Sequence, residues 1–229
     1  MEVRDGVVID ELNMIFLLDN SYSMSDGRIT QLNNAIPLLK ESLGKVAEAK
    51  KISLKLRIIA FSDEPIWKVG SVESGEEISS IIWQDLDVVN ETYTATAIRE
   101  ANKALKVDYI GRRALRPVVI LVTDGNCTED HSQYLKAIDE MKRKLAGNTG
   151  KEKVTRIAIG VADYNKKELE EFASEGIIGE EKRPLVFEVD DTTKLSEVIN
   201  WVALTSMMSS IVEDQNTGVV DFSDAEFVD

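Results

Sequence analysis

The sequence predicts an α/β fold with a doubly wound, mostly parallel central sheet, one antiparallel edge strand, and helices on both faces. Two observations predict it. Short apolar runs alternate with stretches in which apolar residues recur at helical spacing, as in parallel strands joined by crossover helices. Two of the runs also end in an aspartate, Asp19 and Asp124, as expected for strands that border a crevice. At 229 residues the chain is long enough for one such domain.

The first half of the chain is predicted to begin with a buried strand and a long helix. The helix should start near Arg28, because Ile29, Leu32 and Ile36 open a series at helical spacing. The turn-forming sequence at 63–65 predicts a hairpin that ends in a short edge strand. The predicted elements are a strand over 14–18, a helix from 28, strands over 53–61 and 66–69, and a short helix over 76–83.

The second half repeats the alternation of helix and strand. Asn165 is predicted to cap one of its helices. The predicted elements are helices over 95–107, 130–145, 166–173 and 195–211, and strands over 118–122, 156–161 and 185–189. A polar surface loop is expected at 147–151.

The chain is predicted to divide into a domain over 1–212 and an acidic tail over 213–229. The tail carries no positive charge and little periodicity, which is typical of a disordered segment or of one that docks on another surface. We expect truncation after Ile211 to leave the fold unchanged.

Composition narrows the classes of partner. A net charge of -14 argues against nucleic acid, since phosphate binding needs clustered lysine and arginine. The charge is compatible with a cation or a basic protein as partner, and equally with solubility alone. No run approaches the roughly 20 apolar residues of a membrane span, the acidic start is unlike a signal peptide, and the single Cys127 excludes an internal disulfide. These features predict a cytoplasmic location without membrane contact and leave the oligomeric state open.

Oxygen-bearing side chains follow the first buried strand at alternate positions. Asp19, Ser21 and Ser23 form the triplet Asp-x-Ser-x-Ser. In an extended segment such residues face the same way, so that their oxygens can converge. Oxygen-only ligands with few carboxylates suit Mg²⁺ better than zinc or copper. Helix capping would explain one of the three residues, but not the alternating set.

The second strand end supplies another acid. Asp124 follows the apolar run 118–122, and two such ends side by side in a parallel sheet would bring Asp19 and Asp124 to one crevice. Asp26 and Asp130 lie near the predicted rim, where each is either a further acceptor or a helix cap.

These residues resemble the von Willebrand factor A family, whose metal-ion-dependent adhesion site combines Asp-x-Ser-x-Ser with a distant threonine and a distant aspartate. Thr92 is similar to the family's threonine, with Ala97 and Ile98 marking the register and Thr94 as the alternative. The resemblance covers residues 12–211 in family order.

The resemblance implies a metal-dependent protein-binding adaptor and not an enzyme. In this family pattern, the ligands of Mg²⁺, with Mn²⁺ or Ca²⁺ as alternatives, would be Asp19, Ser21, Ser23, Thr92 and Asp124. An open coordination position would accept an acidic residue of a protein partner. Tyr22 and Tyr93 lie in the two loops and are either interface anchors or packing residues.

Two other functions use the same crevice. A Mg²⁺-dependent phosphohydrolase using Asp19 would need an acid two residues later, where this chain has Ser21. The chain also has no phosphate-cradling Gly-x-x-x-x-Gly-Lys-Ser/Thr sequence. A scaffold with a purely structural ion is the second alternative.

Within the family, the segment 199–210 is similar to the final helix of prokaryotic tellurite-resistance TerY-like single-domain proteins. In those proteins a tryptophan, here Trp201, is followed by small and serine residues. That likeness implies a stress or metal-resistance system with kinase and phosphatase partners. The chain departs from the family pattern at Glu91, an acid beside Thr92 that would either tighten cation binding or crowd the open position.

Overall fold

A central sheet dominates the structure, a computed structural model that describes residues 3–4, 7–8, 10–111, 114–145, 152–213 and 220–222. Only the backbone is described for 3–4, 7–8 and 212–213. The strands of the described residues are β1 (Val3–Arg4), β2 (Val7–Val8), β3 (Glu11–Asp19), β4 (Ser53–Phe61), β5 (Pro65–Val69), β6 (Glu76–Glu77), β7 (Val118–Thr123), β8 (Thr155–Val161), β9 (Glu175–Ile178), β10 (Glu181–Pro184), β11 (Val186–Val189) and β12 (Asp221–Phe222). The helices are α1 (Arg28–Lys50), α2 (Thr94–Ala104), α3 (Val107–Ile110), α4 (His131–Arg143), α5 (Lys166–Phe172) and α6 (Leu195–Glu213).

The central sheet runs in the order β11-β8-β7-β3-β4-β5. Strands β11, β8, β7, β3 and β4 are parallel to their neighbours, whereas β5 pairs antiparallel with β4. Strand β6 also pairs antiparallel with β4. The predicted fold class, a mostly parallel sheet with an antiparallel edge strand, is confirmed.

Helices cover both faces because the side chains of each strand alternate between them. Phe16 and Leu18 of β3 lie in the core on the side of α1 and α6. Ile15 and Leu17 point the other way, into a second core formed with α2, α4 and α5. All four side chains have no solvent exposure, so the middle of the sheet is dry on both faces.

The chain changes direction across the sheet at β3. After β3 it forms β4 on one side, and it later returns to form β7 on the other side. Leu18 pairs with Val122, so the carboxyl ends of β3 and β7 lie next to each other. Ligand sites in open α/β sheets lie in the crevice at this kind of switch point.

The short helix predicted over 76–83 is wrong. Glu76 and Glu77 form β6, and Ile78–Ser80 is a single 3-10 turn. Strand β5 pairs with β4 only over Ile58–Phe61, and β6 pairs with the earlier residues Lys55 and Leu56 of the same edge. Of the isoleucines whose spacing indicated a helix, Ile78 and Ile81 are buried, whereas Ile82 is 82% exposed.

One further predicted helix differs from the structure in its extent. The helix predicted over 95–107 ends at Ala104, and the separate α3 follows it. The polar loop predicted at 147–151 lies outside the described residues. None of the helices in the described part of the chain combines the length and apolar character needed to cross a membrane.

A small second sheet, which the sequence pattern did not indicate, lies beside the main one. Strands β9 and β10 form an antiparallel hairpin, and β12 pairs parallel with β9. Strand β12 lies within the segment that we expected to be an acidic tail. Of the two alternatives expected for the tail, residues 220–222 correspond to docking, because Val220 and Phe222 are buried. The rest of 214–229 lies outside the described residues.

Candidate metal centre

Asp19 is the last residue of β3 and is completely buried at the switch point. The Ser21 N–H donates to Asp19 Oδ1 at 2.8 Å, and the Thr123 hydroxyl donates to Asp19 Oδ2 at 2.5 Å. Thr123 is the last residue of β7, so this hydrogen bond joins the ends of the two strands. The carboxylate therefore has a fixed orientation.

The electrostatic environment of Asp19 disfavours its charged form. Burial raises the pKa of Asp19 to about 6, and the nearby Asp124 contributes to the increase, while hydrogen bonds from Ser21 and Thr123 oppose it. A buried carboxylate next to a second one is a favourable location for a cation, because a positive charge would relieve both effects.

The two serines connect Asp19 to Asp124. Ser21 Oγ lies 3.0 Å from Ser23 Oγ, and Ser23 Oγ donates to Asp124 Oδ1 at 2.6 Å. Asp124 is 4% exposed and its second oxygen, Oδ2, accepts a hydrogen bond from Arg28 Nη1 at 2.5 Å. The structure thus brings four of the five predicted site residues into one hydrogen-bonded group.

Thr92 reaches the same place from a separate loop. Ser21 and Val89 form a parallel bridge, and the Val89 and Tyr22 N–H groups donate across the two loops to Asn20 O and Asn90 O. A Cβ placed on Gly125 would lie 3.5 Å from Thr92 Oγ1 and 3.6 Å from Ser23 Oγ. The hydroxyls of Thr92 and Ser23 therefore both lie next to Gly125.

The alternative threonine is placed differently. Thr94 is the first residue of α2 and is buried in the helix start. Of the two, Thr92 lines the cavity described next.

An open cavity of about 450 Å³ lies over these residues. Its lining residues are all of polar or charged types, namely Ser21, Ser23, Asn90, Glu91, Thr92 and Thr128. Glu91 is exposed at this wall, where it adds a negative charge without blocking the cavity.

The loop that follows Asp124 also supports the Thr92 loop. The Thr128 N–H and hydroxyl both donate to Thr92 O, at 3.0 and 3.1 Å. The Glu129 carboxylate accepts from the Thr96 N–H at 2.9 Å and so caps the start of α2 from outside the helix. Movement of one loop would therefore disturb the other.

The remaining residues singled out in the sequence have simpler positions. The Asp130 side chain accepts from the Ser132 N–H and caps α4. Tyr22 is 73% exposed beside the cavity, whereas Tyr93 is half-buried. Cys127 is half-buried, and burial raises the pKa of its thiol.

Sequence reasoning missed three residues that shape the site. Thr123 and Thr128 flank Asp124 in the chain, and their nearness to a predicted ligand was a usable signal. Arg28 begins α1, and nothing in the pattern linked it to Asp124, 96 residues away.

The chemistry of the donor set fits a hard cation. In the described parts of the chain no three His, Cys, Asp or Glu side chains come together as a metal-binding group. A cation at this site would depend on hydroxyl oxygens in addition to two carboxylates, which suits a hydrated ion such as Mg²⁺. The Arg28 guanidinium on Asp124 already supplies one positive charge at this position.

Comparison with solved structures supports the same architecture. A von Willebrand factor type A protein from Catenulispora acidiphila matches with a TM-score of 0.61 and 17% identity, over 87% of this chain and 43% of that chain. The ArnB paralog VWA2 from Sulfolobus acidocaldarius matches with a TM-score of 0.57 and 18% identity, over 85% of this chain and 46% of that chain. Proximal thread matrix protein 1 from the mussel byssus, with a zinc-occupied metal-ion-dependent adhesion site (MIDAS) motif, matches with a TM-score of 0.58 and 16% identity. This match covers 85% of this chain and 48% of that chain. At these identities the likeness shows the fold alone.

Sequence comparison gives the family. The collagen alpha-5(VI) chains of Mus musculus and Homo sapiens are each 26% identical to this chain, over 200 and 204 residues. These matches cover 86% and 87% of this chain, which spans only 7% of the length of either relative. The family model of the von Willebrand factor type A domain matches residues 13–201. The chain belongs to the von Willebrand factor type A domain family.

Proposed function

We propose that this domain is a metal-dependent protein-binding adaptor. Its metal-ion-dependent adhesion site would hold a divalent cation, Mg²⁺ in preference to Mn²⁺ or Ca²⁺, on Asp19, Ser21, Ser23, Thr92 and Asp124. Domains of this family generally mediate metal-dependent protein interactions. The observation that carries the proposal is the hydrogen-bonded group at the switch point, in which Ser23 joins Ser21 to Asp124.

Each residue has a distinct part in this proposal. Asp19 and Asp124 supply the negative charge, and the hydroxyls of Ser21, Ser23 and Thr92 supply neutral oxygens. Two carboxylates do not saturate the coordination of a divalent cation, so a bound ion would keep an open coordination position for a partner's carboxylate. Asn90, Glu91 and Thr128 line the entrance and would contact the partner around that position.

The choice of Mg²⁺ rests on donor type. All five side chains offer oxygen, and small hard cations prefer oxygen ligands. The zinc-occupied MIDAS motif of the mussel relative supports a divalent cation at the equivalent position without identifying which one this chain binds.

The test is a calorimetric titration of the full chain with MgCl₂, MnCl₂, CaCl₂ and ZnCl₂. We expect Asp19→Ala and the volume-conserving Asp19→Asn to weaken Mg²⁺ binding by more than about tenfold, because each removes a buried charged ligand. Asp130→Ala is the matched control, since Asp130 caps α4 and carries the same charge. Equal Mg²⁺ affinities for wild type and both Asp19 variants would contradict the site.

A pull-down carried out with MgCl₂ and with EDTA tests the adaptor function. Capture of a partner should require the ion and should be lost in Asp19→Asn but kept in Asp130→Ala. Capture that is the same in EDTA would contradict metal-dependent binding even if the ion itself binds.

The phosphohydrolase alternative is disfavoured by the surroundings of Asp19. An aspartate nucleophile in such an enzyme is paired with an acid two residues later, whereas position 21 here holds a serine whose N–H donates to Asp19 Oδ1 at 2.8 Å. Ser21, at the position of the general acid in such enzymes, cannot donate a proton as an acid near neutral pH. These observations favour binding over catalysis.

The finer assignment to a cytoplasmic, TerY-like adaptor in a tellurite-resistance or stress system rests on α6. Ser206 and Ser210 in this helix are buried and donate to backbone carbonyls of the preceding turn. Trp201 precedes both serines in the same helix. A partner identified by the pull-down as a protein kinase or phosphatase would support this assignment, and an unrelated partner would contradict it.

A further inference from the structure

Arg28 places a fixed positive charge at the proposed metal centre. Arg28 Nη1 donates to Asp124 Oδ2 at 2.5 Å and to Ser23 O at 2.8 Å. The Asp124 side chain has no exposure, and the Arg28 side chain is 24% exposed. One guanidinium nitrogen therefore bridges two loops that each carry proposed metal ligands.

The backbone before Arg28 holds it at this position. A 3-10 turn over Tyr22–Met24 is followed by Asp26 and Gly27, both in the left-handed region with φ of 57° and 89°. A left-handed conformation is uncommon for a residue other than glycine. This tight turn connects the Ser23 loop directly to α1, whose first residue is Arg28.

Arg28 has opposite effects on the protein with and without an ion. Without one, its charge neutralises Asp124, which would otherwise be a buried and unpaired carboxylate at high energetic cost. A bound divalent cation would be repelled by the same guanidinium across a partly desolvated site. The same side chain would thus stabilise the metal-free protein and disfavour the metal-bound one.

Resting on the proposed function above, we propose that Arg28 is a built-in counter-charge that lowers the affinity of the site for divalent cations. It sets the cation concentration at which the site fills, and hence the concentration at which the domain can capture a carboxylate. If Arg28 instead served to position Asp124 as a ligand, its removal would weaken cation binding.

The experiment compares Mg²⁺ binding of the full-length wild type with Arg28→Met and Arg28→Gln, after removal of metal with EDTA and dialysis. Methionine removes the charge, and glutamine removes it while keeping an N–H donor for Asp124. Lys45→Met is the matched control, because Lys45 lies on the same helix and forms an exposed ion pair with Glu41. Affinities are measured by calorimetry at constant ionic strength, and melting temperatures are recorded in EDTA and in MgCl₂.

We expect both Arg28 variants to bind Mg²⁺ about tenfold more tightly than wild type or more, a change of about 1.4 kcal/mol per factor of ten. Their melting temperatures should fall in EDTA and gain more from MgCl₂ than that of wild type, while Lys45→Met matches wild type. If Arg28→Met does not fold in EDTA, the Mg²⁺ affinity of Arg28→Gln decides the outcome.

Unchanged or weaker Mg²⁺ binding by both Arg28 variants would overturn the counter-charge alone and leave the proposed metal centre standing. An absence of Mg²⁺ binding by wild type and every variant would overturn the proposed function and the counter-charge together.

Discussion

The Thr123 hydroxyl holds two parts of the candidate site at once. It donates to Asp19 Oδ2 at 2.5 Å and accepts from the Gly125 N–H at 3.2 Å. Thr155, which begins the neighbouring strand, provides a contrast, since its buried hydroxyl has no hydrogen-bond partner among the described residues. The two threonines are both buried, but only the hydroxyl of Thr123 has hydrogen-bond partners among the described residues.

We therefore expect Thr123→Val to lower the free energy of unfolding by about 1–3 kcal/mol, because it leaves a buried carboxylate oxygen without its donor. It should also weaken Mg²⁺ binding, since Asp19 loses its fixed orientation. Thr155→Val should be neutral or slightly stabilising, because the hydroxyl it removes is unsatisfied. Urea unfolding of both variants, with calorimetry for Thr123→Val, checks these effects, and equal unfolding free energies would contradict the stated role of Thr123.

At the scale of single residues, the sequence predicted which side chains come together where the candidate ligands directly follow strands. The alternate spacing of Asp19, Ser21 and Ser23 predicted a shared direction, and the structure brings them together with Asp124. Their role as metal ligands stays a prediction. Arg28 was not predictable, because an arginine at a helix start is common and the contact with Asp124 depends on the tight turn at Asp26 and Gly27.

At the scale of elements, the carboxyl-terminal strand β12 is joined to the domain by aromatic packing. The Phe222 ring lies 4.9 Å from that of Phe187 and 5.5 Å from that of Trp201, measured between centroids. The Ser209 hydroxyl also donates to Asp221 O at 2.9 Å. These contacts connect β12 to the last strand of the central sheet and to α6.

Phe222→Ala is expected to lower the free energy of unfolding by about 3 kcal/mol, the usual cost of deleting a buried aromatic side chain. Truncation after Ile211 should destabilise the protein at least as much, contrary to the expectation from sequence. Met208→Ala on the exposed side of α6 is the control and should cost less than about 1 kcal/mol. Thermal melts that coincide for Phe222→Ala and wild type would show that β12 does not stabilise the domain.

Elements with a clear apolar pattern were predictable, including the short β5, β11 and α5, and elements without one were not. Strand β4 begins and ends at the predicted residues, because nine consecutive strand residues leave a clear apolar pattern. Strands β6 and β12 have only two residues each, too few for any periodicity. Four of the eight residues in the hairpin of β9 and β10 are charged and exposed, so it lacked the apolar signal used to find strands.

At the scale of the whole molecule, the hydrophobic cores are built by apolar residues of the sheet and helices. The apolar residues of β3 and β7 are completely buried between two layers of helices, and the proposed ligands lie beyond their carboxyl ends. The site is therefore built on a sheet that apolar packing already stabilises. This arrangement favours a binding role for the ion over a purely structural one.

Removal of the ion should accordingly leave the fold intact. Far-UV circular dichroism in EDTA should match that in MgCl₂. Saturating Mg²⁺ at about one hundred times its dissociation constant should add about 2.7 kcal/mol by mass action, or roughly 5–10 °C in melting temperature for a chain of this size. Loss of secondary structure in EDTA at 25 °C would instead support the scaffold with a structural ion.

The position of Asn90 in the cavity wall has a consequence for the compartment in which the domain can work. Asn90-Glu91-Thr92 satisfies the acceptor sequence for N-linked glycosylation. In a eukaryotic secretory pathway, the oligosaccharide would be attached at the mouth of the cavity and would exclude a protein partner by its bulk. The adaptor proposed here therefore requires synthesis without glycosylation, and material for binding studies should come from a bacterial host.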